Sequence, residues 1–312
     1  MIALGLTTLQ ASLLVLVGLY LACVLAVHYR GKVRLRFRRQ LTEHSGMFAW
    51  FNCLLYGFSA VPNKAFLDLA AFPQAAPLRD NWKTIRDEAV ALLTTDQIRY
   101  DEKHKDLTFM GFQRRGWKRF HLKWYSDFLP SARKACPRTV ELLQSIPQLN
   151  SAAFTLLPPG KKLGRHRDPF ANSVRYHLGL VTPNSEDCRI WVDGEEYSWR
   201  DGEDVVFDQT FVHWARNDTD TPRIILFCDF TRPVHTAPMR AFLSFMNRRI
   251  FGITASHNEP GEAVGLLNRA TPVVFGAKTF FIGLKRKHRA AYTIIKQTSL
   301  ALLLIYAVYR LA

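Results

Sequence analysis

Two histidines and one aspartate in the second half of the chain form a set that suits a redox-active metal. His166 and Asp168 are separated by one residue, and His213 follows on a later segment. Residues two apart in extended backbone project to the same side. Two imidazoles and a carboxylate fill one face of octahedral Fe(II) and leave three sites open, two for a chelating co-substrate and one for O₂. The spacing therefore favours a metal centre, although such tripeptides also occur by chance around a surface or core histidine.

Three basic residues near this set are suited to an anionic co-substrate. Arg223 stands at the start of an apolar segment and could bind a remote carboxylate in bidentate fashion. Arg175 and His177 share the polar side of an otherwise apolar run. A barrel interior would bury them only if an anion or a metal-bound ligand compensated their charge. The alternative is a solvated outer face.

Short strands must position these residues, and the sequence after residue 150 predicts a series of them. Alternating or wholly apolar runs bounded by turn residues are typical of such strands. They are expected at residues 152–157, 173–181, 189–192, 195–199, 205–207 and 223–230. Asp193-Gly194 between two of them is a strong signal for a two-residue hairpin. Many short strands in succession favour a mainly β fold with a double-stranded β-helix, or jelly-roll, core.

Helical patterns precede the strands, which suggests a β core with flanking helices. Residues 81–93 and 137–146 place apolar side chains along one face, the second starting at a proline. Residues 117–125 instead alternate cations with apolar residues, which suits either a basic face for a phosphorylated lipid or an ordinary strand with a solvated polar side. The expected divisions are 1–29 (anchor), 30–80 (juxtamembrane), 81–240 (catalytic) and 241–312 (C-terminal region, with a membrane-prone end).

The N-terminal segment is expected to be a transmembrane helix. Residues 11–27 are almost wholly apolar and long enough to cross a bilayer. Six basic residues lie between Arg30 and Arg39, and none precedes the span, so the positive-inside rule places the main domain in the cytoplasm. A cleavable signal would carry its charges ahead of the apolar run. A lipoprotein anchor at Cys23 is the other alternative, but the preceding residues match it poorly.

The chain carries 42 Lys and Arg against 26 Asp and Glu, a formal net charge of +16, which implies acidic partners such as nucleic acid or anionic lipid. A membrane anchor argues against nucleic acid. Five widely spaced cysteines without a C-x-x-C pair are typical of free thiols in a reducing compartment. Residues 299–308 are apolar as well and suit a second span, an interfacial helix or a docked terminal helix.

Roughly residues 10–235 resemble the aspartyl/asparaginyl β-hydroxylase family of Fe(II)- and 2-oxoglutarate-dependent dioxygenases, and in particular its bacterial branch that hydroxylates lipid A. The matching segments are His166-Arg167-Asp168-Pro169, residues 173–180, Val192-Asp193-Gly194, residues 198–203, His213-Trp214 and Arg223, with residues 116–120 and 122–125 upstream. Animal aspartyl hydroxylases of this family lack the carboxylate ligand, so Asp168 agrees with the lipid-modifying branch. The segment after about residue 240 shows no such resemblance.

The resemblance implies that His166, Asp168 and His213 ligate Fe(II), and that Arg223, with Arg175 and His177, holds 2-oxoglutarate. It also implies O₂ as second co-substrate. Together with the anchor, it implies carbon 2 of a secondary acyl chain of lipid A, a lipopolysaccharide precursor, as the substrate, reached from the cytoplasmic side of a bacterial inner membrane. Two rival classes stay open: a hydroxylase of Asp or Asn in proteins, and a non-catalytic jelly-roll module that binds membranes through its basic surface.

Overall fold

The computed structural model describes residues 8–94, 98, 117–125 and 127–259, with scattered residues from 261 to 298. The chain divides into two compact units, one of residues 23–268 and one of residues 1–22 with 269–312. The larger unit thus begins inside the expected anchor and ends beyond the expected catalytic segment. Residues 299–308, for which a membrane role is expected, lie outside the described residues.

Helix α1 (Thr8–Tyr29) covers the expected transmembrane segment. Within the described part of the chain it is the helix that is long and apolar enough to span a bilayer, with a mean hydropathy of 2.3. Only 17% of its most apolar window is buried, whereas a core helix of a soluble protein would be mostly buried. Length, composition and exposure are therefore those of a candidate membrane anchor.

The other helices in the described part of the chain are shorter than α1. They are α2 (Phe37–Thr42), α3 (His44–Met47), α4 (Ala49–Phe58), α5 (Ala76–Asp80), α6 (Trp82–Thr94), α7 (Pro130–Ala135), α8 (Pro137–Gln144) and α9 (Ala237–Arg249). The predicted helices at 81–93 and 137–146 are confirmed as α6 and α8, and α8 has its proline in the first turn.

Eleven strands are present in the described residues, and all their pairings are antiparallel. They are β1 (Phe66–Leu67), β2 (Lys118–Trp124), β3 (Asp127–Phe128), β4 (Leu149–Leu157), β5 (Lys162–His166), β6 (Ser173–Val181), β7 (Cys188–Val192), β8 (Glu195–Ser198), β9 (Asp204–Phe207), β10 (His213–Asn217) and β11 (Arg223–Thr231). One sheet has the order β1-β9-β6-β11-β4-β2-β3, and the other has the order β5-β10-β7-β8. The predicted jelly-roll class is confirmed.

The seven-stranded sheet separates the main hydrophobic core from the candidate site. On β11, Ile224 and Leu226 belong to the same buried cluster as Ile85 of α6 and Leu143 of α8. Successive strand residues point to opposite faces, so Arg223 lies on the other side of β11, facing the interior between the sheets. The apolar face thus packs against helices, and the polar face lines the site.

Strands β2, β5 and β10 differ from the sequence-based expectation. The ligand-bearing strands β5 and β10 were not predicted, because charged residues such as Lys162 and Arg216 interrupt any apolar pattern. The run at 117–125 is a strand, β2, but a solvated polar side is wrong for His121, which is only 1% exposed. A register shift between His121 and Lys123 accompanies this burial.

Candidate metal centre and co-substrate site

The three predicted metal ligands come together where β5 ends and β10 begins. His166 and His213 are directly paired across these neighbouring strands, and their ring centroids are 4.1 Å apart. Asp168 lies just beyond β5, with Oδ1 3.6 Å from His166 Nε2 and 3.9 Å from His213 Nε2. One ligand atom from each residue lies within 4.8 Å of the others. This arrangement matches the donor set that the sequence predicts.

Backbone carbonyls orient both imidazoles. His166 Nδ1 lies 2.8 Å from Gly164 O, and His213 Nδ1 lies 3.0 Å from Phe211 O. A proton on each Nδ1, donated to its carbonyl, leaves Nε2 as the lone-pair donor toward a metal. The amide of Asp168 donates to Gln209 O at 3.0 Å, which fixes the third ligand relative to the loop before β10. The two-histidine, one-carboxylate set fits a divalent iron site.

Arg175 lies beside the ligands and is held by two carboxylates. Its guanidinium is 2.5 Å from Asp168 Oδ2 and 3.0 Å from Asp229 Oδ1. Ser151 in turn donates to the other oxygen of Asp229 at 2.8 Å. Arg175 thus engages one oxygen of Asp168 and leaves the other facing the two histidines. No local sequence pattern marks Asp229 as a site residue.

Arg223, unlike Arg175, is not held by carboxylates of the described residues. Its side chain is 0% exposed, and none of its three guanidinium nitrogens has a hydrogen-bond partner among the described residues. It stacks over Trp199, with 4.3 Å from Cζ to the ring centroid. A buried, unpaired cation is costly unless an anion compensates it. The surroundings of Arg223 therefore fit the carboxylate of a bound small molecule.

His177 lies on the inner face of β6, close to both Arg223 and His213. Both its ring nitrogens are buried without a partner in the described part of the chain. Its ring packs against Phe207 at 5.0 Å and Phe227 at 5.4 Å between centroids. The two ring nitrogens of His177 can therefore make a second polar contact with the same small molecule, next to aromatic rings.

The electrostatics keep these side chains in the states that metal and anion binding require. Burial, and then the neighbouring His166, lowers the pKa of His213 to about 3, so its imidazole is neutral. Burial alone would raise the pKa of Asp168, but the charge of Arg175 and the two histidines together lower it. Burial lowers the pKa of Arg223 only to about 10, which leaves it cationic at neutral pH.

Comparison with known proteins identifies the fold's relatives. Residues 79–233 match the family model for aspartyl/asparaginyl beta-hydroxylases. An ornithine lipid ester-linked acyl 2-hydroxylase from Rhizobium tropici is 33% identical over 206 residues, covering 65% of this chain and 73% of that protein. The chain belongs to the aspartyl/asparaginyl β-hydroxylase family. Human aspartyl/asparaginyl beta-hydroxylase is 29% identical over 53% of this chain, which matches only 22% of that protein's length.

Solved structures similar to this family member share little sequence with it. A Pseudomonas putida prolyl-4-hydroxylase is 20% identical and covers 50% of this chain and 88% of its own, with a TM-score of 0.33. A cupin barrel protein from Salinispora arenicola is 14% identical and covers 47% and 87%, with a TM-score of 0.27.

In this member of the family, the end of α1 is hydrogen-bonded to the segments that carry the candidate metal ligands. Arg167, between the candidate ligands His166 and Asp168, donates to Val27 O at 2.6 Å and to His28 O at 3.4 Å. These carbonyls belong to the last turn of α1, where intrahelical donors run out. The same guanidinium reaches Thr210 O at 3.5 Å. Arg167 thus joins the helix end to both segments that carry ligands.

The residues just after α1 make further contacts with the site's supporting loops. Arg30 forms an ion pair with Asp208 at 2.7 Å, and Arg232 pairs with the same carboxylate at 2.9 Å. The carboxylate of Asp193 accepts from the amides of Lys32 at 3.0 Å and Val33 at 2.8 Å. Sequence reasoning treated Arg30 only as a topogenic charge, because its partner lies 178 positions away.

Proposed function

We propose that this chain is an Fe(II)- and 2-oxoglutarate-dependent dioxygenase that hydroxylates carbon 2 of a secondary acyl chain of lipid A. The observation that carries the reaction class is Arg223, which is buried without a hydrogen-bond partner among the described residues and accompanies a two-histidine, one-carboxylate set. A metal site alone would also suit hydrolysis. A metal site with a buried cation waiting for a carboxylate suits a chelating dicarboxylate co-substrate.

Each residue has a defined task in this reaction. His166, Asp168 and His213 would hold the iron on one face, and Arg175 would keep Asp168 monodentate by binding its second oxygen. Arg223 would bind the distal carboxylate of 2-oxoglutarate through a bidentate, charge-assisted contact. Bound Fe(II) with 2-oxoglutarate and O₂ supplies the oxidation, in which a C–H bond becomes C–OH and the co-substrate becomes succinate and CO₂.

The walls of the site keep water away from this chemistry. Phe207 and Phe227 pack around His177, and Trp199 covers one face of Arg223. His213, at 3% exposed, is further inside than His166 and Asp168, which are each 16% exposed. The partly open side near His166 and Asp168 is therefore where an acyl chain would enter.

Two observations support a lipid rather than a protein substrate. The Rhizobium relative is by its name an acyl 2-hydroxylase of a lipid, and α1 has the length and composition of a membrane anchor. That relative also favours a second candidate, the ester-linked acyl chain of ornithine lipid. The human relatives favour Asp or Asn in a protein, but Asp168 and α1 speak for the lipid-modifying branch.

The proposed location is a bacterial inner membrane with the catalytic unit in the cytoplasm, where 2-oxoglutarate and ferrous iron are available. Arg34, Arg36, Arg38 and Arg39 are exposed just after α1 and satisfy the positive-inside rule. Arg30 contributes less to the surface charge, because Asp208 neutralises it.

Lipid mass spectrometry tests the proposal. Cells expressing the chain should contain lipid A that is one oxygen atom heavier, and cells expressing His166→Ala should not. His235→Ala, which changes an exposed histidine outside the site, serves as the matched control and should behave as the wild type. Heavier ornithine lipid with unchanged lipid A would select the second candidate. A hydroxylated Asp or Asn in a protein, with both lipids unchanged, would overturn the lipid assignment.

A further inference from the structure

Helix α4 is apolar on both of its faces, although one face is exposed. Phe51 and Leu55 are buried on the inner side. Trp50, Leu54 and Phe58 follow one another at four-residue intervals on the outer side and are 54%, 39% and 36% exposed. Side chains four apart share one face of a helix. A helix that is apolar all round belongs in a protein core or in lipid, so this outer stripe calls for a partner.

The inner face of α4 contacts the segment that follows the candidate metal ligand Asp168. Asn52 donates to Pro169 O at 2.9 Å and accepts from the amide of Ala171 at 2.8 Å. The rings of Phe51 and Phe170 lie 6.0 Å apart. The position of α4 therefore fixes the position of the chain immediately after the site.

The surroundings of the stripe are those of a membrane interface. Cys53 of α4 donates to Cys23 O of α1 at 3.6 Å, so α4 lies against the C-terminal part of the candidate anchor. Exposed cations Arg34, Arg36 and Arg38 lie between the two helices in the chain, and Met47, just before α4, is 53% exposed. Amphipathic membrane-surface segments combine such cations with Trp, Phe and Leu. Anionic headgroups would complement the cations and acyl chains would cover the stripe.

We propose that the outer face of α4, made of Trp50, Leu54 and Phe58, docks on the anionic surface of a bilayer and lies among the upper acyl segments. This inference rests on α1 being a membrane anchor, as in the proposed function. Because Asn52 ties α4 to the segment after Asp168, docking holds the open side of the metal site at the depth where carbon 2 of an acyl chain lies. The surface thereby selects lipid-borne substrates.

Quenching by brominated lipid tests this docking directly. The purified full chain is reconstituted in vesicles of phosphatidylethanolamine and phosphatidylglycerol, with or without bromine on the upper acyl carbons. Trp50→Phe should remove most of the tryptophan emission that bromine quenches. Trp82→Phe, which changes a partly buried tryptophan of α6, is the control and should leave the quenched emission unchanged. Phe58→Trp in the Trp50→Phe background should restore quenching.

Two results would overturn the docking surface: an unchanged quenched emission in Trp50→Phe, or no restoration by Phe58→Trp. A second copy of this chain covering α4 would give the first result, because it would shield Trp50 from lipid. The test is independent of catalysis. Quenching that depends on Trp50, together with no hydroxylated lipid in cells, would uphold docking and overturn the proposed reaction. Hydroxylated lipid in cells, together with quenching that does not depend on Trp50, would uphold the reaction and overturn docking.

Discussion

Arg175 and Arg223 are two cations within one site, and their partners decide their roles. Arg175 already satisfies two carboxylates, those of Asp168 and Asp229. Arg223 has no hydrogen-bond partner among the described residues. The resemblance implies that both hold 2-oxoglutarate. We propose instead that Arg223 binds its carboxylate and that Arg175 orients Asp168, because Arg175 also pairs with Asp229, its partner across the β6–β11 pairing.

Removing any one metal ligand should weaken iron binding and abolish turnover while the fold persists. His166→Ala, Asp168→Ala and His213→Ala should each lower Fe(II) affinity by roughly 100-fold or more, since loss of an outer-shell partner alone typically costs about 10–100-fold. Calorimetric titration with Fe(II) under anaerobic conditions measures this, with His235→Ala as control. Full activity in Asp168→Ala would show that two protein ligands suffice and that Asp168 is misassigned.

Arg223→Leu should raise the KM for 2-oxoglutarate. A charge-assisted contact contributes about 2 kcal/mol, which corresponds to roughly a 30-fold change in KM. Activity should return in part at high co-substrate concentration, because the ligands remain. Arg216→Leu, an exposed arginine on β10, is the matched control. If the KM stayed unchanged, the carboxylate contact would belong to Arg175 or to another residue.

Apolar patterning predicts the strands that pack against the core, but it does not predict the strands that carry the candidate ligands. Strands β4, β6 and β11 are rich in buried aliphatic residues. The predicted ranges match β6 at both ends, stop one residue before the end of β11 and start three residues after the beginning of β4. Strands β5 and β10 are short and charged, and they form because β10 pairs with β5 on one side and with β7 on the other. Pairing of this kind depends on tertiary structure, so no local pattern reports it.

The bond from Arg167 to the end of α1 was equally invisible, because its acceptor Val27 lies 140 positions away. We expect Arg167→Met to leave the helix-end carbonyls unpaired and to loosen the segment between two ligands. The cost should be about 1–3 kcal/mol of unfolding free energy and roughly 10–100-fold in Fe(II) affinity. Thermal unfolding in detergent and calorimetric iron titration measure these quantities.

Arg165→Met is the control for this prediction, because Arg165 is exposed and lies on the other side of His166. Equal iron affinity in the two variants would mean that the contact between Arg167 and α1 does not position the metal ligands.

For the whole molecule, the formal charge of +16 overstates what the surface offers to an acidic partner. Arg167, Arg223 and Arg232 are buried, and Arg30 and Arg175 are paired with internal carboxylates. Arg34 and Arg36 are exposed after α1 and can meet headgroups, each contributing about 1 kcal/mol near an anionic surface. The sequence therefore predicts that the surface charge is positive, but it does not predict which arginines are buried.

The exposed cations after α1 should hold the catalytic unit in the cytoplasm. A reporter fused after Asn268, where the larger unit ends, tests this. We expect fluorescence from a cytoplasmic green fluorescent protein and no activity from alkaline phosphatase, which requires export. An active phosphatase fusion would contradict this topology. The site would then lie outside the cytoplasm, which is the proposed source of 2-oxoglutarate.

The origin of the added oxygen distinguishes a dioxygenase that acts on lipid A from the other candidate functions. Cells expressing the chain are grown under ¹⁸O₂, and their lipid A is analysed by fragmentation mass spectrometry. We expect one ¹⁸O atom at carbon 2 of a secondary acyl chain, since a dioxygenase transfers oxygen from O₂ to the C–H carbon. The label should be absent in His213→Ala. Lipid A without added oxygen, or with oxygen derived from water, would show that the proposed function is wrong.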